Sequence, residues 1–178
     1  MPNDRNSGLA ALFLVPAIGA VMFGICLPSY GAVTDACAVV TQGDAEAALG
    51  EPVSAPRRLS HPSTGGEAPG CRYRAARGSA LEAKTVSVTI HYDAAGRGNL
   101  NAIVHSEEKA GYKSVREVDG VGDAAVWGVV SSLGRMNGEL SVRKGSSTLL
   151  VIILGGISDE PAALKSAKDL AAKALPRL

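Results

Sequence analysis

Hydrophobic and polar positions change rhythm several times along this 178-residue chain. Residues Leu9 to Leu27 read LAALFLVPAIGAVMFGICL, without a charged side chain. A helical stretch follows at 41–49. Thr41 can cap it, and Asp44 sits three residues on, where a capping box places an acid; Gly50 and Pro52 then stop it. Residues 52–70 show no period and read as a loop. Alternation starts with Cys71-Arg72-Tyr73-Arg74-Ala75, a short predicted strand. It is clearer over 83–92, where Val86, Val88, Ile90 and Tyr92 share one face and Thr85, Ser87, Thr89 and His91 the other. Asn99 is placed to cap a helix through Ala110, with Leu100, Ile103, Val104 and Glu107 on one stripe.

Tyr112 to Val118 reads as a short strand, and Gly120, Gly122 and Asp123 form a tight structural turn into a strand over Ala124 to Val130. Glu139 to Arg143 and Thr148 to Leu154 pair as a hairpin. The arm TLLVIIL is apolar almost throughout, so it is expected to be central or covered on both faces. Ser158 to Pro161 opens a last helix, striped by Leu164, Ala167, Ala171, Ala174 and Leu175. Strands come in groups rather than alternating with helices. That order predicts an α+β fold: a mostly antiparallel sheet of about five to six strands, helices packed on one face, and one disulfide.

The leading apolar run sets the predicted organisation: 1–31 as a signal peptide or N-terminal membrane anchor, and 32–178 as a single exported domain. The run is long for a secretory signal and long enough to span a bilayer. Small residues at Ser29 and Gly31 favour cleavage near Ala32; retention would leave an anchor. A lipoprotein cut before Cys26 fits poorly, because Ile25 stands where a small residue is needed. Each route places residues 32–178 outside the cytoplasm, periplasmic or secreted. With Cys26 removed, Cys37 and Cys71 remain, and two cysteines in an oxidising compartment read as one disulfide. It would close a Pro-, Gly- and Ser-rich loop of roughly 35 residues.

Composition narrows the function classes. At 46% hydrophobic and 20% charged, the chain is not of the disordered type. Lys+Arg is 18 against 17 Asp+Glu, a balance that argues against nucleic acid as a partner. Aromatics make up only 4%, too few for a stacking platform. No C-x-x-C occurs, and His61, His91 and His105 lie at no metal-ligand spacing, so neither metal nor cofactor is expected. Gly120-Val121-Gly122-Asp123-Ala124-Ala125 begins like a dinucleotide fingerprint but leads into a strand, not a helix. Asp44, Glu46, Glu107 and Glu108 fall on predicted helices and read as solvated carboxylates. The local basic cluster, Arg57, Arg58, Arg72, Arg74 and Arg77 with Tyr73 among them, is the candidate binding surface, suited to anionic headgroups or an acidic partner.

The run DACAVVTQGDAEAALGEPVSAP, the second cysteine in GCRYR, VDGVGDAAVW, the hairpin LSVRKGSSTLLVII and the terminal Ala/Lys/Leu helix together resemble a group of small exported bacterial proteins. Many of that group are lipoproteins of unknown function, and some are similar to the extracellular sensor domains of bacterial receptor kinases. The resemblance implies an α+β domain outside the cytoplasm with one disulfide and no catalytic residues. The weak lipobox departs from the lipoprotein members. The expectation is therefore an exported, non-enzymatic binding or accessory domain of the cell envelope, with an envelope protein or small ligand as partner, and contact with the membrane only through the N-terminal segment if it is retained. The alternatives are a membrane-anchored sensory or structural module, and a small extracytoplasmic hydrolase with His91 or His105 as base.

Overall fold

A computed structural model describes residues 35–63, 66–79, 82–92, 100–132, 134–145 and 148–178. The segment 1–31 with Cys26, and also Asp93, Asn99 and Ser146-Ser147, lie outside the described residues. The long apolar strand of the sequence, β7 (Thr148–Ile157), is central among seven antiparallel strands. The others are β1 (Arg57–Ser63), β2 (Gly66–Arg74), β3 (Thr85–His91), β4 (Lys113–Glu117), β5 (Ala124–Ser132) and β6 (Arg135–Lys144). Their order across the sheet is β1-β2-β3-β7-β6-β5-β4. Four α-helices are described with them: α1 (Ala36–Val39), α2 (Gln42–Leu49), α3 (Leu100–Lys109) and α4 (Glu160–Ala174). All belong to one unit, Gly31–Leu178. None of the described helices is long and apolar enough to cross a membrane.

The α+β class and the antiparallel sheet agree with the sequence, but two expectations need correction. The sheet has seven strands rather than five to six, because the segment read as a loop supplies β1 and the first half of β2. Pro62 and Pro69 hide the alternation there. Proline is tolerated in β1, which is an edge strand. Nor are the helices confined to one face. The inner face, built by Val86, Val88, Ile90, Leu140, Leu150 and Ile152, packs against α1, α2 and α4. The outer face carries α3, whose Ile103 and Val104 rest on Val126, Leu149, Val151 and Val115.

The inner layer shows how the local signals work. Thr41 and Asp44 form the full capping box of α2, and Gly50 closes it at φ 70°. Trp127 is completely buried, and a Cβ on Gly138 would lie 2.1 Å from its ring, so only glycine leaves room for the indole. The Trp127 Nε1–H donates to Glu160 at 3.2 Å. Cys37 and Cys71 are disulfide-bonded, joining α1 to β2 with their Cα atoms 5.1 Å apart. Asp44, read as solvated, is instead buried, and Arg177 and Lys173 from the C-terminal end of the chain close over it.

Candidate functional site

Antiparallel register sets which side chains meet on the outer face. Directly opposed residues point to the same side of a sheet, and the side alternates along each strand. Following the pairs outward from β1 gives one transverse line: Arg57 opposite Arg72, Arg72 opposite Ser87, Ser87 opposite Ile153, Ile153 opposite Glu139, and Glu139 opposite Gly128. The line is basic at one end and acidic at the other. Arg72 and Glu139 are three strand spacings apart, roughly 14 Å, too far to pair.

At the basic end, the structure brings three of the candidate arginines together. Arg57 and Arg72 are opposed, and Arg74 follows two residues along β2 on the same side. All three are exposed. Arg72 donates to the Ser87 hydroxyl at 2.9 Å. Among the described residues, no carboxylate pairs with Arg57, Arg72 or Arg74. The remaining members of the candidate cluster lie elsewhere. Arg58 points to the other side of β1 and pairs with Asp35, holding that carboxyl below its ordinary range. Arg77 is exposed in the turn after β2. Tyr73 does not belong to a binding surface. It is buried on the inner face at 1% exposure, its hydroxyl donating to the Val40 carbonyl at 2.5 Å, because alternation on β2 turns it opposite to Arg72 and Arg74.

At the acidic end, α3 covers a cluster that the sequence reading missed. Glu107 comes from α3, Tyr112 from the segment after it, and Glu139 and Ser141 from β6. The Tyr112 hydroxyl donates to Glu139 Oε2, and the Ser141 hydroxyl donates to Glu139 Oε1 at 3.4 Å. Glu107 is 5% exposed, and among the described residues neither of its carboxyl oxygens makes a well-formed hydrogen bond. Burial, reinforced by the nearby Glu139, pushes the Glu107 carboxyl up to about 7, with the Ser141 hydroxyl opposing the shift. Burial also raises Glu139 against the pull of its two hydroxyl donors. Tyr112 is held firmly as the neutral phenol by burial and by the Glu139 charge. The expectation that Glu107 is solvated is therefore overturned. Its position on the stripe of Ile103 and Val104 was the signal: a residue four places after Ile103 faces the sheet with it.

The other candidates sit apart. His105 is exposed on α3, while His91 ends β3 on the outer face, in line with Leu149 and Arg143. Gly120, Gly122 and Asp123 lie in the turn before β5. Gly120 and Gly122 adopt φ 78° and 60°, which L residues with a side chain rarely take. Asp123 accepts from the Gly145 N–H at 2.6 Å and so ties this turn to the β6–β7 hairpin. Among the described residues, no group of three His, Cys, Asp or Glu side chains could hold a metal. Two open clefts of about 320 and 380 Å³ follow the α2–α4 seam. Ala47, Ala48 and Ser166 line both, and the one buried carboxylate there, Asp44, is already paired. Comparison with protein families, curated proteins and solved structures finds no match for this chain.

Proposed function

We propose that residues 32–178 are an exported, non-enzymatic binding module that holds a phosphate-bearing anionic component of the cell envelope on the outer face of β1 and β2. The observation that supports this reading is the Arg57–Arg72 pair, two cations directly opposed on neighbouring strands with Arg74 beside them and no acidic partner among the described residues. Like charges at directly opposed positions destabilise a strand pair. An anionic ligand removes that repulsion, and its oxygens accept the forked N–H donors of the guanidinium groups.

Cosedimentation with lipid vesicles tests it. Residues 32–178 should bind phosphatidylglycerol vesicles, ignore phosphatidylcholine vesicles, and be released as NaCl rises past physiological strength. Arg57→Ala together with Arg72→Ala should abolish binding while leaving thermal unfolding unchanged. Equal binding of the double variant sinks the reading.

The anchored alternative differs in whether the apolar run Leu9 to Leu27 is kept. The intact mass of protein from host cell fractions separates the two: a start near Ala32, or the full chain. The hydrolase alternative has less support, since Glu107 is buried beneath α3 and Glu139 is already engaged by the Tyr112 and Ser141 hydroxyls.

A further inference from the structure

Glu107 is a buried acid with no cation paired to it among the described residues. A Cβ built on Gly128 would fall 2.6 Å from its Oε2, so the carboxyl lies directly on the bare backbone of β5. The Tyr112 ring edge approaches the same point at 3.1 Å and closes the side. The described elements packed around Glu107 bring few charged groups toward it. β5 offers Val126, Gly128 and Val130 on this face, and β7 offers Leu149, Val151 and Ile153. β6 offers Glu139 and Ser141, with Arg143 two residues further and His91 of β3 beyond it in the same line. The segment after α3 supplies Tyr112, which stays neutral. Lys113 at the start of β4 is exposed, as are His105, Glu108 and Lys109 on α3 itself. Among the described residues none of these is a cation paired with Glu107, and the Ser141 hydroxyl opposes the upward shift of its carboxyl without reversing it.

An ionised Glu107 would be a desolvated charge facing a second carboxylate. Both effects act against a seated helix. Protonated, the same group is a neutral side chain that fits the space. Among the described residues the apolar seat of α3 is small. Its apolar contacts are Ile103 and Val104 on a small patch of Val126, Leu149, Val151 and Val115. Catalysis is a poor use for so enclosed a carboxyl, because no reacting group reaches it while α3 is in place. A metal would need ligands that the described residues do not supply.

We propose that Glu107 is a proton-operated latch for α3: with its proton the helix is seated over β5 and β6, and without it the helix lifts and uncovers Val126, Leu149 and Val151 on the face that carries Arg57 and Arg72. The sign follows from linkage. Seated, Glu107 titrates at about 7. Lifted into water it titrates near the ordinary glutamate value of about 4.3. Seating is thus fully favoured below about pH 4.3, weakens roughly tenfold per pH unit up to about 7, and is flat above that.

Hydrogen exchange of residues 32–178 between pH 4.5 and 8.5 tests the latch, with protection factors corrected for the intrinsic pH dependence of exchange. The protection of α3 amides should fall by about two powers of ten between pH 4.5 and 7 and then level off, while that of β6 and β7 holds. Glu107→Gln, a neutral isostere, should give high and pH-independent protection of α3. Glu139→Gln removes the facing charge and should move the midpoint of the wild-type fall to lower pH, which provides a second variant if the first does not fold. Constant α3 protection in the wild type, or a fall that survives in Glu107→Gln, overturns the proposal.

Discussion

The two faces of the sheet are made by the same strands and do opposite things. On the inner face, alternate residues of β3, β5, β6 and β7 are apolar and fully buried, three helices cover them, and the polar groups present are satisfied. Asp44 meets Arg177 and Lys173, and Trp127 meets Glu160. On the outer face, the intervening residues of those strands are mixed. Among the described residues, α3 covers the β5–β6 region, two opposed arginines stand without carboxylate partners, and a buried glutamic acid has no paired cation. The contrast separates a layer in which the buried polar groups of Asp44 and Trp127 are paired from one in which, among the described residues, Arg57, Arg72 and Glu107 have no oppositely charged partner.

The contrast is most easily broken by cutting a hole in each layer. Trp127→Ala should cost about 3–5 kcal/mol in urea unfolding, because it empties a fully buried indole site. Val151→Ala on the outer face, at a half-buried position, should cost about 1 kcal/mol. Equal losses would erase the distinction. Slightly smaller than the tryptophan effect is loss of the inner-face crosslink. Replacing Cys37 and Cys71 by serine frees a closed loop of 34 residues, and the chain-entropy model puts that at about 3–4 kcal/mol, again by urea unfolding.

Asp44 sharpens the comparison, since it is the buried carboxylate that does have partners. Burial works against its charge, but the hydrogen bonds from Arg177 and Thr41 prevail and hold it at about 2. A depressed acid contributes stability that is present above the unfolded value, near 4, and is lost as pH falls towards 2. That contribution is about 2 kcal/mol. Unfolding measured from pH 5 to pH 2 should show this loss in the wild type and a flatter profile in Asp44→Asn. Glu107 has the reverse sign and loses its contribution as pH rises. The smallest expected effect is that of Arg72→Ala, within about 0.5 kcal/mol of wild-type stability by thermal unfolding, since the exposed side chain gives up one hydrogen bond to Ser87 and one like-charge neighbour.

Much of the inner layer was legible in the residue pattern. The capping box at Thr41 and Asp44, the alternation through Val86, Val88 and Ile90, the central TLLVIIL strand and the cysteine pair are all local or nearly local signals. β1 escaped notice because Pro62 and its polar neighbours show no alternation, and an edge strand needs none. Tyr73 was grouped with the arginines beside it in sequence, although period-two alternation sends it to the opposite face. Glu107 stood on an apolar stripe and was still read as solvated, since a carboxylate on a helix usually is.

The residue pattern alone carries the class of fold, the elements with a strong period and the cysteines available to pair. Periodicity says which side of its own element a residue faces. It does not say what stands opposite. That Arg57 meets Arg72 across β1 and β2, that Glu107 lands on Gly128 beside Glu139, and that Asp44 receives Arg177 from 133 residues away comes from the assembled fold. Those pairings depend on strand register and on which helix covers which strands. Desolvation and charge–charge distance are properties of that arrangement, so the groups that carry unbalanced charge became identifiable only once the sheet was assembled.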